Sequence, residues 1–192
     1  MTDELWRCFV AVPIGSVLRG DLRAAVDDWR GRLELRDLRW IDPAGWHVTV
    51  AFLGSIDSGS IPEVLERLAG VAASQSGMRT TTGGLGAFPD PARARVAWYG
   101  IGDGDGEGGL ARLARDVAGA LGLDASRPLR LHLTLARARR EPVDLRSWLA
   151  SASAPDGVLT TDRIELMRSH IGRDPARYET LAAITLGVPA RV

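Results

Sequence analysis

Two short segments of this 192-residue chain share one pattern: a histidine, an apolar residue, a threonine and a second apolar residue. Residues 47–50 read HVTV and residues 132–135 read HLTL, so the pattern includes two of the three histidines. Successive side chains of a strand point to opposite faces, so each segment presents its histidine and threonine on one face and its apolar residues on the other. The segments lie 132 − 47 = 85 positions apart in corresponding halves of the chain. The repetition predicts a duplicated fold in which two imidazole and hydroxyl faces meet across one cleft.

The periodicity of the remaining chain predicts the elements around these strands. Helices are expected from Ser16, which is a candidate cap, and from Pro62, over residues 110–121 with Gly122 as a stop, and over residues 144–152. Strands are expected at residues 6–13, 38–40, 47–54, 78–88, 93–101, 130–138, 158–168 and 178–187. Because most strands arrive in pairs separated by short turns, the sheets should be mainly antiparallel. The predicted fold is α+β: one bilobal domain over residues 1–192, with two pseudo-twofold-related lobes, helices on the outside and the cleft between the lobes.

The charge is balanced over the whole chain but not locally. The sequence has 24 basic and 24 acidic residues, so any binding of a polyanion must be local. Residues 127–140 contain five arginines and no acidic residue. Arg130 shares the face of His132, whereas Arg137 has the opposite parity and can reach that face only from the strand end or through a bulge. The glycine-rich acidic segment 102–109 is predicted to be a solvated linker.

Paired histidines suit general acid and base catalysis. The ordinary imidazole pKa of about 6.5 allows one ring to be neutral while the other is protonated. Threonine hydroxyls and an arginine can bind phosphate oxygens, so the residues together favour hydrolysis of a phosphodiester without a nucleophilic side chain or a metal. Either histidine alone would be better explained as an interior strand residue bonded to its neighbour, but the occurrence of two matching motifs reverses this preference. Zinc is disfavoured by the absence of HxH and HExxH spacings and of companion cysteines, and a serine hydrolase by the absence of GxSxG.

Cellular context is predicted from two further features. The single cysteine, Cys8, lies in an apolar run and should be a buried, reduced thiol. No stretch approaches the roughly 18 apolar residues that a membrane helix needs, and no signal segment follows Met1. We expect a soluble cytoplasmic protein without a membrane partner, and a monomer.

Five blocks of the chain, taken together, resemble the bacterial and archaeal RNA 2',3'-cyclic phosphodiesterases, also called 2'-5' RNA ligases, of the two-histidine phosphoesterase superfamily. The blocks are RCFVAVP, LRWIDPAGWHVTVAFLG, LGAFPDPARARVAWYGI, SRPLRLHLTLARARR and LMRSHIGRDPARYETLAAITL. Two positions depart from the family pattern. Leu131 stands where the family usually has proline, and Ala51 where it often has a basic residue.

The resemblance implies hydrolysis of a 2',3'-cyclic phosphate to a 2'-phosphomonoester, without a cofactor, on RNA ends or small cyclic nucleotides. It assigns protonation of the departing 3' oxygen to His47 and activation of water to His132. Thr49 and Thr134 would hold the phosphate, with Arg137 assisting. Phe88 and Trp46 are candidates for stacking on a nucleobase, and His170 is expected to face solvent. Reversible 2'-5' ligation, another small cyclic nucleotide as substrate, and a silent RNA-end binding module remain alternatives.

Overall fold

The computed structural model describes residues 4–102, 108–124, 130–170 and 177–187. Its helices are α1 (Ser16–Arg30), α2 (Ile61–Ser74), α3 (Gly109–Ala120) and α4 (Arg146–Ser151). Its strands are β1 (Leu5–Pro13), β2 (Leu38–Trp40), β3 (His47–Asp57), β4 (Met78–Phe88), β5 (Val96–Ile101), β6 (His132–Ala138), β7 (Gly157–Thr161), β8 (Arg163–His170) and β9 (Arg177–Thr185). The predicted linker lies mostly at residues 103–107, outside the described residues.

The strands of the described segments form an antiparallel sheet in the order β7-β4-β5-β6-β3-β1-β8-β9, and β2 pairs with β6 beside this path. The two strands that carry the histidine motifs, β3 and β6, are therefore neighbours at the centre. They share a single ladder pair, Val48 with Leu133. This pair divides the sheet into two halves of four strands, β7-β4-β5-β6 and β3-β1-β8-β9. Strand β3 corresponds to β6, and β1 corresponds to β5. The predicted α+β class with two related, mainly antiparallel halves is confirmed.

The hydrophobic core lies between one face of the sheet and the helices. Strand β1 turns Cys8, Val10 and Val12 into this core, so the predicted burial of the cysteine is confirmed. Helix α1 buries one face, formed by the residues spaced three or four apart: Leu18, Leu22, Val26 and Trp29. Helix α2 packs on β8 and β9, whereas α3 packs on β3 and β4. The opposite face of the central strands is left for the site.

Two predicted helix ends, the stop after α3 and the cap of α1, can be compared with the structure. Gly122 has φ +66° and follows α3; its N–H donates to Gly119 O at 3.1 Å, and that of Leu123 to Ala118 O at 2.9 Å. Glycine adopts this left-handed conformation at little energetic cost, and the predicted end of the helix at Gly122 is confirmed. Ser16, however, is the first residue of α1 and makes no capping hydrogen bond.

The strand predicted at residues 158–168 is two strands. Strand β7 pairs with β4, whereas β8 begins after Asp162 and pairs with β1 in the other half of the sheet. The prediction was wrong because β-forming residues continue through this crossover, and periodicity does not report which strand is the neighbour. No helix in the described residues combines the length and apolar character needed to cross a membrane.

Candidate active site

The two histidine motifs meet at the centre of the sheet. Val48 and Leu133 are directly opposite each other and fully buried on the helical side. Strand alternation therefore places His47 and Thr49 on the other face of β3, and the histidine and threonine of β6 on the same face of the sheet. The structure brings together the residues that the sequence predicted to converge.

Both imidazoles are held by the same local contact. His47 Nδ1 lies 2.8 Å from Gly45 O, and His132 Nδ1 lies 2.7 Å from Arg130 O. A carbonyl oxygen can only accept, so in each ring Nδ1 carries the proton and donates. This leaves Nε2 as the nitrogen that exchanges protons: it accepts when the ring is neutral and donates when the ring is charged.

Aromatic rings flank both imidazoles. The His47 ring lies 4.9 Å from both the Phe9 and Tyr178 centroids, with Tyr178 at 82° to it. Neither residue is a site candidate from the sequence. Phe9 occurs in an apolar run that reads as core, and it does belong to a small buried cluster on the site face. Tyr178 lies in the last strand, and only the tertiary fold brings it to His47.

The corresponding aromatic rings at His132 are Phe88 and Trp98. The Phe88 centroid lies 5.0 Å from that of His132 at 81°, and the Trp98 centroid lies at 6.3 Å. The guanidinium of Arg130 is 5.9 Å from the Phe88 centroid and 6.0 Å from that of Trp98. Trp98 was also missed, although its alternation with buried Ala97 and Tyr99 would have placed it on the site face.

A β-bulge in β6 turns Arg137 toward the site face. The pairing with β5 skips Leu135, since Thr134 and Ala136 are opposite consecutive residues of that strand. Leu135 and Ala136 both face the core, which reverses the alternation that follows. The exposed side chain of Arg137 thus lies on the same face as Thr134. The sequence predicted that Arg137 could reach the face of His132 only from the strand end or through a bulge, and the structure has the bulge.

The same irregularity occurs in β3. Its pairing with β1 skips Val50, which lies 135 − 50 = 85 positions before Leu135. By this correspondence Phe52 occupies the position that Arg137 holds in the other half. Phe52 is 59% exposed, and its centroid lies 6.4 Å from that of Phe9. The two halves therefore share a backbone plan but differ in the chemistry of this position.

Both imidazole pKa values lie below the ordinary value. Burial lowers the pKa of His132, the carbonyl of Arg130 opposes this shift, and the charges of Arg137 and Arg130 lower the pKa further. Burial likewise lowers the pKa of His47, against its contact with a backbone carbonyl. The charges of Arg137 and His132 lower the His47 pKa further, and Glu165 raises it. The site is electropositive and suits an anionic ligand.

The two residues predicted to stack on a nucleobase differ in exposure. Phe88 is partly exposed beside His132, and its stacking role stays a prediction. Trp46 is only 3% exposed and belongs to the hydrophobic core, so neither face of its ring is open to a base. The stacking role for Trp46 was wrong, because a tryptophan next to a site histidine alternates onto the opposite, buried face.

The third histidine pairs with a carboxylate of the neighbouring strand. His170 is exposed, as predicted, and its Nε2 lies 2.8 Å from Glu179 Oε2. Within the described segments, no three histidine, cysteine or acidic side chains form a group that could hold a metal ion.

Comparisons with known proteins agree on one family. The LigT-like phosphoesterase family matches residues 17–98. The RNA 2',3'-cyclic phosphodiesterase of Geobacillus stearothermophilus is 32% identical over 94% of this chain, which spans only 58% of that protein. The RNA 2',3'-cyclic phosphodiesterase of Aeropyrum pernix is 30% identical, over 81% of this chain and 90% of its own length.

Solved structures share the fold. The protein TT0787 of Thermus thermophilus has a TM-score of 0.74 at 21% identity, and covers 96% of this chain and 100% of its own. The LigT protein of E. coli, crystallised with NADP+, has a TM-score of 0.71 at 25% identity with the same coverage. The similarity thus extends over both halves of the sheet.

Proposed function

The chain belongs to the LigT-like phosphoesterase family of two-histidine enzymes, and from this premise we propose that it hydrolyses a 2',3'-cyclic phosphate at an RNA end to a 2'-phosphomonoester. The observation that carries the proposal is the pairing of Val48 with Leu133, which sets two histidine and threonine pairs on one face of the sheet. The names of the relatives from Geobacillus stearothermophilus and Aeropyrum pernix support the substrate class.

In the proposed reaction, water adds to the phosphorus and the bond to the 3' oxygen breaks. Nε2 of neutral His132 takes a proton from the attacking water, while Nε2–H of protonated His47 gives its proton to the departing 3' oxygen. One water is consumed, and exchange with solvent restores both rings. The contacts of both Nδ1 atoms with backbone carbonyls support these roles, since they leave Nε2 free in each ring.

The two rings differ in their neighbouring charges. Arg130 and Arg137 both disfavour the protonated form of His132. At His47, Glu165 favours the protonated form, and a bound phosphate would favour it further. Burial and the charges of Arg137 and His132 oppose Glu165 at His47, so the pKa of both rings lies below the ordinary value, and the carboxylate is the one neighbouring charge that distinguishes His47 as the acid.

The remaining groups would bind the phosphate. In the part of the chain that the structure describes, the hydroxyls of Thr49 and Thr134 make no hydrogen bond within the protein, so both can donate to non-bridging oxygens. Arg137 can bind a further oxygen in bidentate fashion. Phe88, beside His132, would stack on the terminal base. No step of this scheme requires a metal or another cofactor.

The test is turnover of an oligoribonucleotide that ends in a 2',3'-cyclic phosphate, with product analysis to locate the phosphate. His47→Ala and His132→Ala should each lower kcat by about 10²–10⁴-fold, because each removes a proton-transfer group. His170→Ala is the matched control and should retain wild-type turnover, as should wild-type enzyme in EDTA. Wild-type turnover in both active-site variants would contradict the mechanism. Tight RNA binding without product would instead indicate a binding module, and joining to a 5'-hydroxyl oligonucleotide would indicate ligation.

A further inference from the structure

Two arginines lie directly opposite each other on neighbouring strands. Arg39 of β2 is the cross-strand partner of Arg137 of β6. Directly opposed side chains share a face, with Cβ atoms about 5 Å apart, and like charges in this arrangement destabilise a sheet. The neighbours of Arg39 in β2, Leu38 and Trp40, pack into the core, so Arg39 points to the site face. A pair of cations thus lies on the face of the sheet that carries the histidines.

Nothing within the described residues neutralises this pair. Neither guanidinium has an ion pair or a hydrogen bond there, and the Nε of Arg39 is buried without a partner. The acidic residues nearest in sequence are engaged elsewhere: Asp37 pairs with Arg36, and Asp42 accepts a hydrogen bond from the backbone of the turn that follows it. An anion bound between the two guanidinium groups would relieve their repulsion and accept hydrogen bonds from both.

The pair lies farther along β6 than the groups assigned to the reacting phosphate. His132 and Thr134 precede the bulge, and Arg137 follows it, with Arg39 one strand beyond. The charge of Arg137 acts on both imidazoles, whereas Arg39 is not among the charges that shift either pKa, so Arg137 is the arginine placed to contact the reacting phosphate. An RNA chain carries a second phosphate next to its cyclic end, the phosphodiester on the 5' side of the terminal nucleotide. A nucleoside 2',3'-cyclic phosphate has only a hydroxyl there.

We propose that Arg39, with Arg137 beside it, binds the phosphodiester that precedes the terminal nucleotide, so that the site selects oligoribonucleotide ends over mononucleotides. This inference rests on the proposed function and adds a preference for substrates longer than one nucleotide. The geometry favours a phosphate because its several oxygens accept from two guanidinium groups at once. In the wild-type enzyme, kcat/KM should be higher for an oligonucleotide with the cyclic end than for the matching mononucleotide.

The experiment compares Arg39→Gln with wild type on both substrates. Loss of one charged phosphate contact should lower kcat/KM for the oligonucleotide about tenfold, mainly through KM, and leave the mononucleotide within about twofold. The slope of log affinity against log salt for the oligonucleotide should become shallower by about 0.7, the value for one phosphate of a single strand. Arg112→Gln is the matched control, since it removes the same charge from an exposed position of α3 on the opposite side of the sheet and should change none of these quantities.

Three outcomes would overturn the inference. An equal fall in kcat/KM for both substrates in Arg39→Gln would show that Arg39 contacts the reacting phosphate. An unchanged kcat/KM for both substrates would show that Arg39 contacts no substrate. An unchanged salt slope would exclude the contact with a second phosphate. Arg39→Lys keeps the charge but loses the Nε donor, so its kcat/KM for the oligonucleotide should lie between those of wild type and Arg39→Gln. This variant replaces Arg39→Gln in the experiment if Arg39→Gln does not fold.

The proposed function can fail separately. If wild type cleaves neither substrate, salt titration with a non-cleavable oligonucleotide that ends in a 3'-phosphate still reads the contact of Arg39. In that case the Arg39→Gln variant should bind this oligonucleotide about tenfold more weakly than wild type. Equal binding would overturn the inference on its own.

Discussion

The replacement Gly86→Ala should displace Trp98, an aromatic residue of the candidate active site. Gly86 and Trp98 are opposite each other in β4 and β5, and the indole lies across the glycine. A Cβ added at Gly86 would lie 2.0 Å from Cζ2 of Trp98, 2.3 Å from Cη2 and 2.5 Å from Cε2. Carbon atoms in contact stay about 3.5–4.0 Å apart, so the indole must move by roughly 1.5–2 Å.

This displacement should affect both stability and turnover. Overpacking of this kind costs about 1–3 kcal/mol, which for a chain of this size lowers Tm by roughly 2–12 °C. The Trp98 ring lies 5.3 Å from Phe88 and 6.3 Å from His132, so its shift should also disturb the groups around the imidazole. Because misplacement by about 1 Å can cost on the order of 100-fold in rate, we expect kcat to fall by about 10- to 100-fold.

A control and a double-mutant cycle separate the clash from other effects. Gly20→Ala, in α1, meets open space and should raise stability by up to about 1 kcal/mol with unchanged turnover. Trp98→Leu removes the clashing ring, and since the indole N–H has no partner, it breaks no hydrogen bond within the protein. Thermal unfolding of the single and double variants should then show Gly86→Ala costing at least about 1 kcal/mol less in the Trp98→Leu background. An undiminished cost in that background, or wild-type Tm and kcat for Gly86→Ala, would refute the reasoning.

Two further predictions concern the charge of the site and a buried hydroxyl. Because both imidazole pKa values are lowered, the pH profile of kcat/KM should have its maximum below the ordinary imidazole pKa of about 6.5. Arg137→Gln removes a positive charge that lowers both pKa values, so the maximum should move to higher pH; a maximum that moves to lower pH would contradict this. The hydroxyl of Tyr99 donates to Pro155 O at 2.6 Å and pairs with Thr82 Oγ1 at 2.8 Å in the core. Tyr99→Phe leaves both partners unsatisfied and should lower the free energy of unfolding in urea by about 1–3 kcal/mol with little change in kcat; a loss below about 0.5 kcal/mol would be inconsistent with those bonds.

The face on which a side chain lies could largely be predicted from the sequence. The alternation of strand residues is enough to place His47 with Thr49 and His132 with Thr134. It also required a bulge for Arg137 to reach the site, and the structure has one. The same rule, applied to Trp46, would have placed that residue in the core, where it lies.

Neighbours of a strand could not be predicted in this way. Nothing in residues 158–168 shows that the chain leaves one half of the sheet at Asp162 and enters the other. Phe9 and Tyr178 meet at His47 from strands at opposite ends of the chain. Such contacts depend on which pairing buries most apolar surface over the whole chain.

The sequence by itself determined the chemistry of this site, because the order of residues along one strand fixes which groups share a face through covalent geometry alone. Only the tertiary structure decided how the two faces join and what surrounds them. The opposition of Arg39 and Arg137, which are 137 − 39 = 98 positions apart, exists solely through the pairing of β2 with β6. That pairing is a long-range choice set by the free energy of the entire fold, which no local pattern of residues contains.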